Sequence, residues 1–395
     1  MTGYPRIILK KEKERSVQRF HPWIFSGALY SFDAGLQDGA IVEVHDAKDR
    51  YLCTGHFYHG SIAVKILTFQ QEPINQHFWN RKIEQAFLLR KNLGLIGSEH
   101  TNCFRLVHAE GDNLPGLIID VYDTTAVIQC HSVGMHKLMQ EIKTAIGQTL
   151  TFVDTIYDKS KENLPKEYAG SVSNSFLLGE RKEIIALENG NKFLIDVVTG
   201  QKTGFFLDQS ENRNLLARYS EHKSILNTYC YSGGFSIYAL NNHAKKVVSV
   251  DVSKTAMELV DKNVALNFNA AGIAHTSVCR DVFDFFKSDE EKFDVIILDP
   301  PAFAKSINKR HNAVQAYKRL NAEGLKKVNS PGIIFTFSCS QVVDKELFYA
   351  TVMSAAIEAG RNVKILHYLS QPADHPVNIF HPESSYLKGL VLYVD

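Results

Sequence analysis

The stretch ILNTYCYSGGFSIYAL, residues 225–240, reads as a strand, a tight turn and a helix. Its opening residues are apolar or β-branched, the composition of a buried strand. Gly233 and Gly234 then free the backbone to turn sharply and to approach a ligand closely. A large ring, Phe235, follows the glycine pair, and an apolar helical segment completes the unit.

The same pattern repeats outward from this unit. SILNTYC (224–230), KVVSVDV (246–252), FDVIILDP (293–300) and GIIFTFSCS (332–340) are nearly continuous apolar strands. Helical patterns lie between them, among them SKTAMELVDKNVALNFNA (253–270) and NAVQAYKRLNAEGLKKV (312–328). Such strands alternating with helices imply a parallel sheet covered on both faces. Residues 191–395 are therefore expected to form a Rossmann-like α/β domain. Its ligand should bind beyond the carboxyl ends of the strands, at the switch point.

Those strand ends carry acids. Asp251 follows the glycine turn by about twenty residues, where a carboxylate can bind ribose hydroxyls. In RDVFDFF, Asp281 follows a third strand, placed to accept from an adenine amino group. Asp299-Pro300-Pro301 ends a fourth; two prolines cannot continue the ladder and force a stiff, extended exit. That exit holds Asp299 at the sheet edge, facing a substrate base. A dinucleotide would call for G-x-G-x-x-G with a helix N-terminus at its pyrophosphate. Here the glycines are adjacent and Phe235 crowds that route. S-adenosylmethionine has no pyrophosphate and tolerates the ring, so it is the expected cofactor. A plain βα turn or a strand terminator would leave the same local trace at each segment alone; the three acids in register favour a site.

A fifth strand ends in Ser338, Cys339 and Ser340, at the same edge as Asp299. Most cysteines are small buried apolar residues. This one lies at the active edge of the sheet, where a thiolate could act as a nucleophile if its pKa were lowered. Carbon 5 of cytosine is too electron-poor to take a methyl cation directly. Thiolate attack on carbon 6 would activate it, with Asp299 hydrogen-bonding the N3/N4 edge of the base. No residue is assigned to remove the carbon-5 proton.

The remaining chain divides in two. Residues 1–72 read as a small β-rich unit, with AIVEVHD (40–46), YLCTGHFY (51–58) and IAVKIL (62–67) as short strands between Gly, Asp and His-Gly turns. Residues 73–190 read as a central mixed α/β domain. It comprises a helix in INQHFWNRKIEQAFLLRKNLGL (74–95), strands in FRLVHAEGDNLPGLIIDVYDTTAVIQC (104–130) and a helix in MHKLMQEIKTAIGQTL (135–150). The six cysteines form no C-x-x-C pair, so no metal site is expected, and reduced thiols in a reducing compartment fit their scatter. The N-terminus lacks a signal-peptide core, and no apolar run is long enough to span a bilayer, so a cytoplasmic protein without membrane attachment is expected. Net charge is only +1, which argues mildly against a nucleic-acid binder. Local charge matters more, and residues 6–19 concentrate Arg6, Lys10, Lys11, Lys13, Arg15 and Arg19, although a solvated mixed-charge segment would look alike.

Taken in order, these motifs resemble the ribosomal RNA large subunit methyltransferase I family, which makes 5-methylcytosine in 23S rRNA. HPWIFSGAL (21–29) is similar to that family's PUA domain, a small RNA-binding β-barrel, and FRLVHAEGDNLPGLIIDVY (104–122) to its central domain. GQKTGFFLDQSENR (200–213) resembles the segment that opens the methyltransferase domain and covers the cofactor. ILNTYCYSGGFSIYAL, VDVSKTAMELVDKNVALN, ILDPPAFAKS, FSCS and ADHPV…YLKGL follow in the family's order. The resemblance spans essentially the whole chain and implies a PUA-like barrel, a central α/β domain and a class I methyltransferase domain with a seven-stranded, mostly parallel sheet. It implies a cofactor pocket of Lys202, Thr203, Phe205, Asp208, Ser232, Gly233, Asp251, Asp281 and Asp299, with Cys339 as nucleophile and Asp299 beside it. Two positions depart from the family pattern: Ser210 stands where an arginine usually follows Asp-Gln, and Asn227 where the first strand more often carries Asp.

The expected partner is 23S rRNA or a precursor of the large ribosomal subunit. Arg6, Lys10, Arg15 and Arg19 would hold phosphates, while Pro300 and Phe303 would meet the unstacked base. Phe205, Phe206 and Phe303 are candidates to stack on adenine or on the target base. Three other functions share parts of this pattern. D-P-P followed by an aromatic also suits a purine nitrogen methyltransferase, for example at guanine N7, which needs no thiol. A non-catalytic RNA-binding assembly factor would show eroded strand-end acids, and an NAD-linked oxidoreductase a third glycine. Exposed strand edges leave a homodimer open.

Overall fold

The computed structural model describes residues 3–269 and 272–395, so Ala270, the last residue of one helical pattern, lies outside it. The chain forms two compact units. The first comprises 1–186, 195–205 and 373–384; the second comprises 187–194, 206–372 and 385–395.

In the first unit, six strands form one sheet: β1 (Arg6–Leu9), β2 (Trp23–Phe25), β3 (Leu29–Ser31), β4 (Ile41–His45), β5 (Tyr51–Phe57) and β6 (Ile62–Thr68). Their order is β2-β6-β5-β4-β1-β3. Ile7, Leu9, Val42, Val44, Val64 and Ile66 supply its buried core, and the short helix α1 (Arg15–Gln18) contributes Val17. A second sheet has the order β11-β10-β9-β8-β7, with β7 (Cys103–His108), β8 (Leu117–Tyr122), β9 (Thr125–Cys130), β10 (Thr155–Asp158) and β11 (Ser175–Leu178).

Helix α2 (Gln76–Asn92) starts where Asn75 Oδ1 accepts from the Phe78 N–H at 3.2 Å, an N-cap that satisfies one of the helix's orphan donors. Its Phe78, Trp79 and Ile83 join Leu106, Leu117, Ile119 and Ile142 in one core. The single helix expected over 135–150 is two, α3 (Val133–Lys137) and α4 (Met139–Thr149), because Leu138 leaves the helical region at φ −105°, ψ 22°. The short helix α5 (Lys166–Ala169) precedes β11.

A two-stranded ribbon, β12 (Ile184–Glu188) and β13 (Asn191–Ile195), leads into the second unit's helix α6 (Ser210–Ala217). Seven strands follow: β14 (Ser224–Thr228), β15 (Lys246–Asp251), β16 (His275–Cys279), β17 (Phe293–Leu298), β18 (Val328–Ser338), β19 (Val363–Ser370) and β20 (Lys388–Val394). Their order is β16-β15-β14-β17-β18-β20-β19. The first five are mutually parallel; β20 runs antiparallel to both neighbours. This is the mostly parallel, seven-stranded sheet expected. The order reverses between β14 and β17, which opens the ligand crevice at their carboxyl ends.

The connecting helices are α7 (Gly234–Asn241), α8 (Lys254–Asn267), α9 (Val282–Ser288), α10 (Arg310–Lys327) and α11 (Lys345–Ala359). One core gathers Leu226, Val248, Phe285, Ile296, Tyr317, Leu320, Ile334 and Phe348 from strands and helices. Among the described residues no helix is long and apolar enough to cross a membrane.

Candidate active site

Strand β14 ends at Thr228 because the next residues leave the extended region: Tyr229 (φ 52°), Tyr231 (φ 47°) and Gly233 (φ 79°) are all left-handed. Such backbone is costly for a tyrosine, and its concentration in one loop marks a turn held in place by its surroundings. Asp251, at the end of β15, does the holding: Oδ2 accepts from the Tyr231 N–H at 3.0 Å and Oδ1 from the Ser253 N–H at 2.9 Å. Each carboxylate oxygen has a second lone pair, so both remain able to accept from a ribose hydroxyl. Ser253 in turn caps α8, as its place before the helical run suggests.

Gly233 and Gly234 are required for different reasons. Gly233 needs its left-handed conformation, and a Cβ there would lie 3.2 Å from Val260 Cγ1. Gly234 is helical, but its Cβ would lie 3.0 Å from Arg213 Cδ. Arg213 has no freedom to move aside. It is buried in a bidentate pair with Glu188, at 2.7 Å for both bonds, and Tyr238 donates to the same carboxylate at 3.0 Å.

Asp281 caps α9, its Oδ1 accepting from the Phe283 and Asp284 N–H groups; Oδ2 takes part in neither bond. Tyr229 lies near both Asp251 and Asp281. Burial first, then the charges of Asp281 and Asp251, push its phenol above the ordinary value, while Arg319 opposes them. Asp251 and Asp281 therefore share one neighbourhood with Arg319, whose guanidinium lies 4.3 Å from the Phe283 ring centroid. Asn227 donates to Ser236 Oγ at 2.8 Å, and Ser236, Ser249 and His275 continue a buried chain of hydrogen bonds. At this position the amide of Asn227 works within the sheet's interior.

Asp299 sits one residue past β17, half-buried, with Pro300 buried and Phe303 partly exposed. Gln209 donates to Asp299 Oδ2 at 3.0 Å, and Asn212 donates to Gln209 Oε1 at 2.6 Å. Asp208 Oδ2 accepts from the Tyr386 hydroxyl at 2.7 Å. Cys339 sits one residue past β18 and is half-buried. Strands β17 and β18 pair in parallel, with Leu298 opposite Thr336, which places Asp299 and Cys339 on adjacent strand ends. Tyr317 is near both. Its phenol is raised by burial, and Cys339 and Asp299 both act on it electrostatically. The Phe303 ring packs edge-on against Tyr317, centroids 4.7 Å apart, which orients Phe303 at the site's rim. Phe206 packs likewise on Tyr231 at 5.1 Å.

The second unit thus brings together Ser232, Gly233, Asp251, Asp281, Asp299 and Cys339, and holds Asp208 on Tyr386. Lys202, Thr203 and Phe205 belong to the first unit. There Thr203 donates to Asp120 at 2.6 Å and is hydrogen-bonded to the Tyr122 hydroxyl, the Lys202 carbonyl accepts from Gln129, and Phe205 is buried. Arg6, Lys10, Arg15 and Arg19 are all exposed on the first unit. Arg6 pairs with Asp49 at 3.2 Å and Lys10 donates to the Gly27 carbonyl at 3.0 Å, leaving both near solvent. Gln209, Tyr229, Tyr317 and Lys388 neighbour the candidate residues without having been singled out in the sequence. All four lie within quoted segments, Gln209 directly beside Asp208, but no local pattern distinguished them from their neighbours.

The donor set fits S-adenosylmethionine: a left-handed glycine opens the turn, and acceptors stand at three strand ends. A family pattern described as S-adenosylmethionine-dependent methyltransferase matches residues 106–377, and a PUA-like domain pattern matches residues 7–69. Ribosomal RNA large subunit methyltransferase I of Tolumonas auensis is 38% identical over 394 residues, covering 98% of both chains. The protein of the same name from Alteromonas mediterranea is 36% identical over 396 residues, again covering 98% of each. A solved Streptococcus mutans protein, described as a SAM-dependent methyltransferase, superposes with a TM-score of 0.83 at 24% identity, covering 98% of this chain and 99% of its own.

Proposed function

Because the chain belongs to the ribosomal RNA large subunit methyltransferase I family, we propose that it methylates carbon 5 of a cytosine in 23S rRNA through a covalent adduct on Cys339. The observation that carries this reading is the pairing of a half-buried thiol with a half-buried carboxylate on adjacent strand ends, Cys339 and Asp299. Ring- or amino-nitrogen methylation has no use for the thiol; activation of carbon 5 does.

Ser232, Gly233, Asp251 and Asp281 of the second unit would hold S-adenosylmethionine, together with Asp208 of the same unit. Bound there, it supplies an electrophilic methyl group. The Cys339 thiolate forms a bond to carbon 6, and the electron pair of the 5,6 double bond moves to carbon 5, which becomes the nucleophile. After methylation, loss of the carbon-5 proton restores the double bond and expels the thiolate. Asp299, steadied by Gln209, hydrogen-bonds the N3/N4 edge of the base and keeps carbon 6 in line with Sγ. Pro300 and Phe303 form the rim against which an unstacked base rests. Arg6, Lys10, Arg15 and Arg19 of the PUA-like region (1–72) hold the RNA backbone, and the central region (73–190) links it to the methyltransferase region (191–395).

The test is methyl transfer from labelled S-adenosylmethionine to large-subunit RNA, with the modified base mapped. Label at cytosine carbon 5 that disappears in Cys339→Ala is the expected result. Label on a purine, or a Cys339→Ala variant as active as the wild type, overturns the thiolate mechanism.

A further inference from the structure

Lysine is almost never fully buried without a charged partner, because a buried ammonium loses its hydration. Lys388 is only 4% exposed. It is the first residue of β20 and stands opposite Ser338, the last residue of β18. Its Nζ donates to the Ser340 carbonyl at 2.6 Å and to the Tyr386 carbonyl at 3.0 Å. Its backbone is thus registered on the residue before Cys339 and its ammonium on the residue after. Both acceptors are neutral, and among the described residues no carboxylate forms an ion pair with it. An ammonium has three donors, and two carbonyls leave one.

We propose that the Lys388 ammonium stabilises the Cys339 thiolate, making Lys388 the residue that lowers the pKa of the nucleophile; this rests on the assignment of Cys339 as the nucleophile. The S–H bond breaks heterolytically, sulfur keeps the electron pair, and the proton passes to solvent. Burial lowers Lys388 to about 8, and negative charge on Cys339 and on Asp344 opposes that fall, while Lys345 adds to it. Cys339 and Asp299 both act electrostatically on Tyr317; burial keeps the Tyr317 phenol protonated at neutral pH, so it adds no charge. Around pH 7 the ammonium is therefore charged. A purely structural lysine, strapping two carbonyls together, would hold the strand ends without moving the ionisation of the thiol.

The two roles separate in the pH dependence of Cys339 alkylation by iodoacetamide, read by peptide mass spectrometry. Cys279 is the other cysteine that is not buried, so the full-length chain carries Cys279→Ser throughout. Cys339 is expected to titrate at least one unit below the ordinary thiol value of about 8.5. Lys388→Met should alkylate about tenfold more slowly at pH 7 and reach the same plateau at high pH, and Lys388→Arg should restore most of the rate. A Lys388→Met profile that superposes on the wild type overturns the proposal. So does a Cys339 pKa at or above 8.5 in the otherwise unaltered chain, which needs no Lys388 variant to fold. Methyl transfer plays no part in this readout, so an active Cys339→Ala variant would sink the covalent mechanism while leaving the ionisation result to stand separately.

Discussion

Replacing Gly233 by alanine tests the geometry of the cofactor turn. Two terms add. An L-residue held in the left-handed region costs about 1–2 kcal/mol. The new methyl would lie 3.2 and 3.3 Å from the two Cγ atoms of Val260, tight enough to force a few tenths of an ångström of movement in a fully buried side chain, which costs about 1–3 kcal/mol. The sum, roughly 2–5 kcal/mol, corresponds to a fall of about 5–15 °C in the melting of the second unit. Gly190 supplies the control. Its φ is +82°, in the turn between β12 and β13, and nothing lies within 4 Å of a Cβ there, so Gly190→Ala should show the backbone term alone. Thermal unfolding by calorimetry and titration with S-adenosylmethionine give the two readouts. Gly233→Ala should lose both stability and cofactor affinity; Gly190→Ala should lose only about 1–2 kcal/mol. Adding Val260→Ala to Gly233→Ala should recover part of the affinity. The reasoning fails if Gly233→Ala melts and binds cofactor like the wild type, or if it is no worse than Gly190→Ala.

Four further outcomes follow from the same geometry. Glu188→Ala leaves the Arg213 guanidinium buried without its carboxylate and should destabilise the second unit by about 3–5 kcal/mol in denaturant titrations. Gln209→Leu removes the 3.0 Å bond to Asp299 and should lower kcat for methyl transfer about tenfold or more while leaving cofactor affinity within twofold; an unchanged kcat would show that Asp299 needs no such support. Substituting Lys10, Arg15 and Arg19 by glutamine should weaken RNA binding uniformly and flatten the slope of log K against log salt by about 2; an unaltered slope would place the phosphate contacts elsewhere. His56 is buried with both ring nitrogens lacking a hydrogen bond, and burial lowers it to about 3. The unfolded chain therefore binds one more proton than the folded one between about pH 6.5 and 3. His56 should contribute about 1.4 kcal/mol per unit to the fall in stability as pH drops through that window, and His56→Leu should reduce the acid-unfolding slope by that amount.

The sequence by itself determined the frame of the site. Nearly continuous apolar strands forced a parallel sheet, Gly233 and Gly234 forced a tight turn, and Pro300 and Pro301 forced β17 to stop at Leu298. These are local constraints, so Asp251, Asp281, Asp299 and Cys339 could each be placed at a strand end from neighbouring residues alone. Tertiary structure decided what surrounds those groups. Lys388 lies 48 positions beyond Ser340 and reaches its carbonyl only because β20 runs antiparallel beside β18 in a fixed register. Gln209 meets Asp299 across 90 positions, and Glu188 meets Arg213 across 25. Tyr229 falls inside the expected strand 224–230 yet is left-handed, as is Tyr231 beyond it, whose N–H Asp251 holds. Period and turn chemistry are written into adjacent residues; the partner of a buried charge is chosen by packing, which no local pattern encodes.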